Sequence, residues 1–337
     1  MKILLINNPG IPVPPELYGG IERIVFQLAN EYKKNGHEVT LLAGPKSNFI
    51  GQTITFGKND LNKSNWQVFK EIVFVWWYLI KNHKKYDMVH NFGILIYLLP
   101  ILNKPVKKIM SYQREVTTKN IKIINKLPHK KLYFTGCSDY ISKKEGLLGN
   151  WRTIYNFVDI NQYDFVDKVA EDAPFVFLGR LDRIKGCHHC IDFVKKLNRN
   201  LVIAGNISHL DVEKAYFENE IKPLIDGNQI KYIGSVNDVQ KNELLGNAAA
   251  LLMLIEWDEP FGIVMAEALA CGTPVIGYER GAVGEVIKNG INGCIASDLT
   301  EIVNKKILIS NIDRMICRKY AENRFDVRVI AVNYLKL

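Results

Sequence analysis

The stretch EWDEPFGIVMAEALACGTPVIG, Glu256 to Gly277, decides how the rest of the chain is read. Pro260 suits the first turn of a helix, where its missing N–H costs nothing. The peptide groups of Phe261 and Gly262 then sit at the positive end of that helix, where an anion is stabilised. Glu259 stands at the helix mouth, and Glu267 follows about two turns further along. Two carboxylates so placed suit the hydroxyls of one extended, sugar-containing ligand; without further context they equally suit a solvated helix face. The helix runs into Pro274–Ile276, a short apolar strand. A helix feeding a buried strand is the unit of an open α/β sheet.

The same alternation extends in both directions. Phe175–Leu178, Leu201–Ala204, Ile230–Ile233 and Ala250–Leu254 are further short apolar strands, each followed by a helical or loop segment. Before them comes a separate series: strand Ile3–Ile6, amphipathic helix Ile21–Asn35, strand Glu38–Ala43, helix Lys70–Asn82, and strands Tyr86–His90 and Lys108–Ser111. Continuous apolar strands parted by helices predict parallel sheets covered on both faces. At 337 residues the chain exceeds the size of a single core. We therefore expect two Rossmann-like open-sheet domains, residues 1–158 and 159–317, facing a central cleft at the carboxyl ends of their sheets. Residues 318–337 read as a C-terminal helix crossing back to the N-domain.

Charge is unevenly spread. Residues 1–152 carry 23 Lys and Arg against 10 Asp and Glu, a net +13, whereas the remainder carries 21 against 25, a net −4. A basic half fits a nucleic acid, an anionic membrane, an acidic substrate, or a solvated lysine-rich face. No nucleic-acid module accompanies it, so nucleic acid is not an expected partner. The apolar run Ile3–Ile6 is too short for a signal peptide. Ile72–Ile80 and Ile94–Leu102 fall well short of the ~20 residues of a membrane span. The expectation is a cytoplasmic protein with any lipid contact at the inner face of the membrane. Trp66–Lys85, rich in Trp and Tyr and flanked by lysines, suits a helix in an anionic membrane interface and equally one docked on the N-domain sheet.

Two further segments bear on chemistry. A dinucleotide-binding sheet shows Gly-x-Gly-x-x-Gly after its first strand. Here Ile6 leads into a Pro-rich loop and then Gly19-Gly20 before a helix, which argues against NAD while leaving a phosphate contact open. In FLGRLDRIKGCHHC, Phe177 to Cys190, Arg180 and Lys185 lie in a Gly-bracketed turn between strand and helix, suited to gripping a diphosphate. The same stretch ends in Cys187-His188-His189-Cys190, a Cys-x-x-Cys that poses a redox alternative. Six scattered cysteines without an export signal suit reduced, buried thiols, so packing is the better account. A zinc site from those four residues is disfavoured because consecutive side chains diverge.

Taken in order, Gly19-Gly20-x-Glu22-Arg23, Gly36-His37-Glu38-Val39-Thr40, Gly179-Arg180-x4-Lys185-Gly186, Glu259-Pro-Phe-Gly-x4-Glu267-Ala268 and Gly272-Thr-Pro-Val resemble the retaining glycosyltransferases of family 4, which have the GT-B fold. The resemblance covers nearly the whole chain. It implies transfer of a sugar from a nucleotide-sugar, a UDP-sugar by family habit, to a saccharide or lipid-linked acceptor of cell-envelope polysaccharide type, with retained configuration and no metal or other cofactor. It assigns Arg180 and Lys185 to the donor diphosphate, Glu259 to the donor sugar and Glu267 to the ribose. Phe261, Gly262 and Ile263 would line the donor from the helix N-terminus, with Val236 beside the base and Gly19 and Gly20 at the phosphates. The catalytic set is Arg180, Lys185 and Glu259. One departure stands on the acceptor side: where many members carry a histidine, IMSYQRE places Gln113, which cannot shuttle a proton. His90, ending its strand, is a second acceptor-side candidate whose other reading is a structural histidine. A non-catalytic nucleotide-sugar-binding subunit and a GT-B nucleotide-sugar epimerase remain the alternatives.

Overall fold

A computed structural model describes residues 1–15, 19–305 and 311–337. The chain forms two compact units, Met1–Asn156 with Val327–Leu337, and Phe157–Asp326.

Unit 1 is built on seven parallel strands: β1 (Lys2–Ile6), β2 (Glu38–Ala43), β3 (Gln52–Thr55), β4 (Met88–Asn91), β5 (Lys107–Tyr112), β6 (Leu132–Gly136) and β7 (Trp151–Thr153), in the order β3-β2-β1-β4-β5-β6-β7. Ile3–Ile6 are wholly buried because β1 has β2 and β4 on either side and layers above and below. The helix Gly20–Lys34 buries Ile24, Val25, Leu28, Ala29 and Tyr32 and stops at Asn35-Gly36, where Gly36 takes a positive φ of 78°. The helix expected from Lys70 begins earlier, at Asn65. Ser64 Oγ accepts a hydrogen bond from Gln67 N, and Ser64 N donates in return to Gln67 Oε1, a capping box that sets the start.

Unit 2 repeats the plan with six parallel strands: β8 (Phe175–Leu178), β9 (Leu201–Ala204), β10 (Ile230–Tyr232), β11 (Ala250–Met253), β12 (Val275–Tyr278) and β13 (Gly293–Ala296), in the order β10-β9-β8-β11-β12-β13. Both sheets are thus open, parallel and Rossmann-like, as the alternation of strands and helices predicts.

The closing segment differs from the single helix expected over 318–337. It is two helices, Arg314–Phe325 and Val327–Leu335, parted at Asp326, whose backbone is extended and bridges Val158. Val158 N also donates to Phe325 O at 2.8 Å, so a strand-like contact replaces the helical bond at that point. Arg314–Phe325 packs on the helix Ile263–Ala270 of unit 2, and Val327–Leu335 packs on Gly20–Lys34 of unit 1. Arg314 is buried, and its guanidinium donates to the carbonyls of Val166, Ala248 and Gly246 and to Thr273 Oγ1, which offsets the cost of burying a charge.

Candidate functional site

In unit 2 the chain runs from β8 outward to β9 and β10, then returns to pair β11 on the other flank of β8. The loops after β8 and β11 therefore diverge at a topological switch point, where open α/β sheets hold their ligands. They are pressed together there. Glu256 N donates to Ile184 O at 2.9 Å. Gly186 has φ +70°, and a Cβ on it would lie 1.8 Å from Leu254 O, so only glycine fits.

This close approach brings the separated motifs into one place. Lys185 Nζ lies 2.8 Å from Glu259 Oε2, and the same ammonium sits 4.3 Å above the Trp257 ring. Arg180 pairs with Asp182 at 2.7 Å while its side chain stays 45% exposed, leaving the guanidinium accessible at the loop surface. Glu259 is held through its backbone: Ala282 N donates to Glu259 O at 2.8 Å, and Gly281, at φ +56°, packs where a Cβ would come within 2.5 Å of Glu259 N and O. Glu259 lies in the loop before the helix and not within it. The helix begins at Ile263 with Gly262 as its left-handed N-cap, so Pro260 precedes the helix instead of occupying its first turn. Phe261 is buried and meets Phe325 edge-on at 5.4 Å.

Glu267, on the inner face of the helix Ile263–Ala270, is buried. Tyr163 Oη donates to its Oε1 at 2.8 Å and Lys241 Nζ does so at 2.7 Å. Burial pushes Lys241 down, but the carboxylates of Glu267 and Asp238 outweigh it and hold the ammonium above its ordinary range. Tyr163 is raised by burial first and by Glu267 second, so it stays a donor. Sequence reading missed Tyr163, Lys241 and Trp257. Only the spacing of Trp257 to Glu259 within one loop offered a signal; the other two come from distant segments. Val236 is half-buried in the loop after β10, beside Gly234, whose carbonyl accepts from Gly205 N at 2.8 Å.

In unit 1, Gly19 is the N-cap of the helix Gly20–Lys34, and its O accepts from Arg23 N at 3.1 Å. Burial raises the Glu22 carboxyl in the first turn of that helix, an effect opposed by a hydrogen bond from Asn7 and by the charge of Arg114. Gln113 follows β5, and both polar atoms of its amide are buried without a hydrogen-bond partner among the described residues. Asn7, Asn30 and Asn156 each carry an unpaired buried amide oxygen as well. His90 is different. It is fully buried, its Nε2 bonds Ser111 Oγ at 2.7 Å, and its ring packs 4.5 Å from Tyr334. Burial holds its pKa down to about 3, so it is a neutral core residue, which corrects its candidacy on the acceptor side. The alternation of β4 explains the placement, since it turns His90 into the layer that carries Val327–Leu335.

The helix Asn65–Asn82 has two unlike faces. Val75, Tyr78 and Leu79 are buried, while Trp66, Phe69, Val73, Trp77 and Ile80 are exposed at helical spacing. Lys70 and Lys81 fold over the Trp66 and Trp77 rings. No helix among the described residues is long and apolar enough to cross a membrane.

The Cys-x-x-Cys segment opens the helix Cys187–Leu197. Cys187 and Cys190 are buried in the apolar core of unit 2, and burial pushes the Cys190 thiol up to about 12 and the Cys187 thiol well up as well. Neither has the exposed, low-pKa thiolate that exchange requires. The two histidines between them turn the other way and converge on Glu256.

Residues 160–324 match the model of glycosyl transferases group 1. That segment contains Arg180, Lys185, Val236, Glu259, Phe261, Gly262, Ile263 and Glu267. Over 206 residues the chain is 25% identical to an uncharacterized 41.2 kDa protein of the cps region of Klebsiella pneumoniae, covering 55% of this chain and 54% of that protein. The chain spans about half the length of that relative and a smaller share, 31%, of an uncharacterized glycosyltransferase of Methanocaldococcus jannaschii that is 33% identical over 127 residues. Among solved structures, AviGT4, a glycosyltransferase involved in avilamycin A biosynthesis, superposes with a TM-score of 0.72 at 23% identity over 99% of this chain and 96% of that one. Anabaena HepE in complex with UDP-glucose gives 0.73 at 19% identity over 100% and 98%. At these identities the likeness establishes the architecture, which is GT-B. The family model and these relatives are what the chain is similar to, over about half of its length.

Proposed function

We propose that the protein moves a sugar from a nucleoside-diphosphate sugar to a saccharide or lipid-linked acceptor, with retention at the anomeric carbon. The observation that carries this reading is the pairing of Lys185 with Glu259 at the switch point of unit 2, with Arg180 in the same loop as Lys185. A mostly buried Lys–Glu pair is a poor device for stability alone, because desolvation cancels much of its attraction. It is a good device for a ligand with a negative diphosphate beside a hydroxylated ring: the ammonium meets the phosphate and the carboxylate meets the sugar. Glu267, oriented by Tyr163 and Lys241, takes the ribose hydroxyls.

In the reaction the bond between the anomeric carbon and the diphosphate oxygen breaks, and an acceptor oxygen bonds that carbon on the same face. The acceptor proton passes to the leaving phosphate oxygen. Arg180, Lys185 and the peptide groups at Gly262 and Ile263 stabilise the charge developing on the diphosphate. These fixed cations supply what a metal would supply, so the transfer is metal-independent in this reading. The donor is a UDP-sugar, in keeping with the UDP-glucose bound to the structural neighbour HepE. Gln113, with its unpaired amide, positions an acceptor hydroxyl.

The acceptor is lipid-borne and of cell-envelope type, in keeping with the cps-region relative. The exposed stripe from Trp66 to Ile80 lies in the headgroup region of an anionic membrane at the inner, cytoplasmic face, with Lys70 and Lys81 among the lipid phosphates. The deciding experiment is a thermal-shift panel of UDP, GDP, ADP, CMP and their sugar conjugates, followed by product analysis with the nucleotide-sugar that stabilises. Binding followed by release of free nucleotide only with acceptor establishes a transferase. Interconversion of the donor alone would establish an epimerase, and binding without turnover a non-catalytic subunit.

A further inference from the structure

The side chains between Cys187 and Cys190 have no part in the donor chemistry, yet they form a compact cluster. His188 Nε2 lies 3.3 Å and His189 Nε2 3.0 Å from the same carboxylate oxygen, Glu256 Oε1. The three ligand-type atoms fall within 4.8 Å of one another. Consecutive helical side chains ordinarily diverge, but these rings meet at 4.1 Å because the first turn of the helix Cys187–Leu197 abuts the loop after β11. Around a tetrahedral ion with ligand bonds near 2.0–2.1 Å, neighbouring donor atoms stand about 3.3 Å apart. The two edges to Glu256, 3.3 and 3.0 Å, match that shape, and the edge between the two imidazole nitrogens lies within 4.8 Å.

The surroundings also fit. The other ring nitrogen of His188, Nδ1, lies 2.8 Å from Tyr216 Oη. A proton on Nδ1, donated to that hydroxyl, leaves the Nε2 lone pair toward the cluster, the outer-shell arrangement that orients metal-binding histidines. Glu256 and both rings keep partial access to solvent. Arg183 is the nearby cation that would oppose an ion. Its guanidinium is paired with Glu220 and stacked on Tyr216, which offsets that opposition.

We propose that His188 Nε2, His189 Nε2 and Glu256 form a binding site for a divalent transition metal of the zinc class, stapling the start of the helix Cys187–Leu197 to the loop that carries Trp257 and Glu259. The ion is structural in this proposal. It fastens the two loops of the switch point and takes no part in transfer, so the inference stands apart from the sugar-transfer reading.

The test uses the full chain, free of any histidine tag and stripped of metal. Zinc is titrated by calorimetry and cobalt(II) by its visible absorption, with melting temperature followed in parallel. One equivalent of zinc, tetrahedral cobalt bands, and a melting temperature that rises with occupancy are expected. His189→Ala and Glu256→Gln should each weaken zinc at least tenfold. Glu256→Gln keeps the side-chain shape, so it remains informative if His189→Ala unfolds, and far-ultraviolet circular dichroism checks both. Absence of stoichiometric binding in the wild type would show the cluster to be two imidazole donors on one carboxylate and overturn the site. Binding that survives both substitutions would overturn it equally.

Discussion

Lys185 and Glu259 stand 74 positions apart in the chain and 2.8 Å apart in space, with side chains only 21% and 11% exposed. Their contact joins the two loops that flank β8 and β11. It gives unit 2 a charged pair where an apolar pair would serve stability as well.

Removing one partner separates function from stability. Lys185→Ala should lower the transfer rate about 10²–10³-fold, the loss typical of a group that stabilises developing charge. It should also destabilise the fold by about 2–3 kcal/mol, since Glu259 is left partly buried and unpaired. Lys185→Ala combined with Glu259→Ala should regain most of that stability in denaturant titration without regaining transfer. Recovery of both would mean the pair is structural.

Glu267→Ala should erase the nucleotide-dependent rise in melting temperature. In the wild type, a ligand at a hundred times its dissociation constant adds about 2.7 kcal/mol. Tyr163→Phe, which removes one of two donors to Glu267 Oε1, should weaken the same ligand by a smaller factor. A full shift in Glu267→Ala would place the nucleotide elsewhere.

The apolar stripe predicts selective vesicle binding. The protein should float with vesicles containing anionic lipid and not with purely zwitterionic ones, and added salt should weaken the association. Lys70→Ala with Lys81→Ala should cost about 1 kcal/mol per residue, roughly 30-fold in total. Trp66→Ser with Trp77→Ser should release the protein at any salt. Flotation indifferent to all four positions would dismiss the membrane assignment.

His90 gives a pH dependence with a defined sign. Its folded pKa is held down to about 3, below an unfolded value near 6.5, so between those limits the unfolded chain binds the extra proton. The stability that neutral His90 contributes is present above pH 6.5 and is lost as the pH falls toward 3. At pH 5 the loss from this group is about 2 kcal/mol. Unfolding free energies measured from pH 7 to 5 should decline less steeply in His90→Gln than in the wild type. Parallel slopes would show that His90 does not titrate this way.

Cys187→Ser and Cys190→Ser should retain transfer, with stability reduced because a hydroxyl enters an apolar core. A loss of activity with the fold intact, restored by oxidant or reductant, would revive a redox role for the pair.

Much of this molecule is legible in one dimension. The buried strands of both units show as short apolar runs, and β1 is recognisable because all of Ile3–Ile6 is apolar. The polar edge strand β3, Gln-Thr-Ile-Thr, carries no such run, since a strand covered on fewer sides needs less apolar surface. The break at Asp326 was invisible for another reason: its residues suit a helix, and only the bridge to Val158 draws the backbone out of one.

The sequence by itself determined the two-sheet α/β plan and the ordered motifs that name Arg180, Lys185, Glu259 and Glu267, because backbone periodicity and capping act over a few neighbouring residues. The tertiary structure alone decided which side chains meet. Lys241 and Tyr163 reach Glu267, His188 and His189 part from the cysteines to reach Glu256, His90 turns into the core, and one face of Asn65–Asn82 is left exposed. Those contacts depend on strand order and on loop closure between segments tens of residues apart, and no local pattern records them.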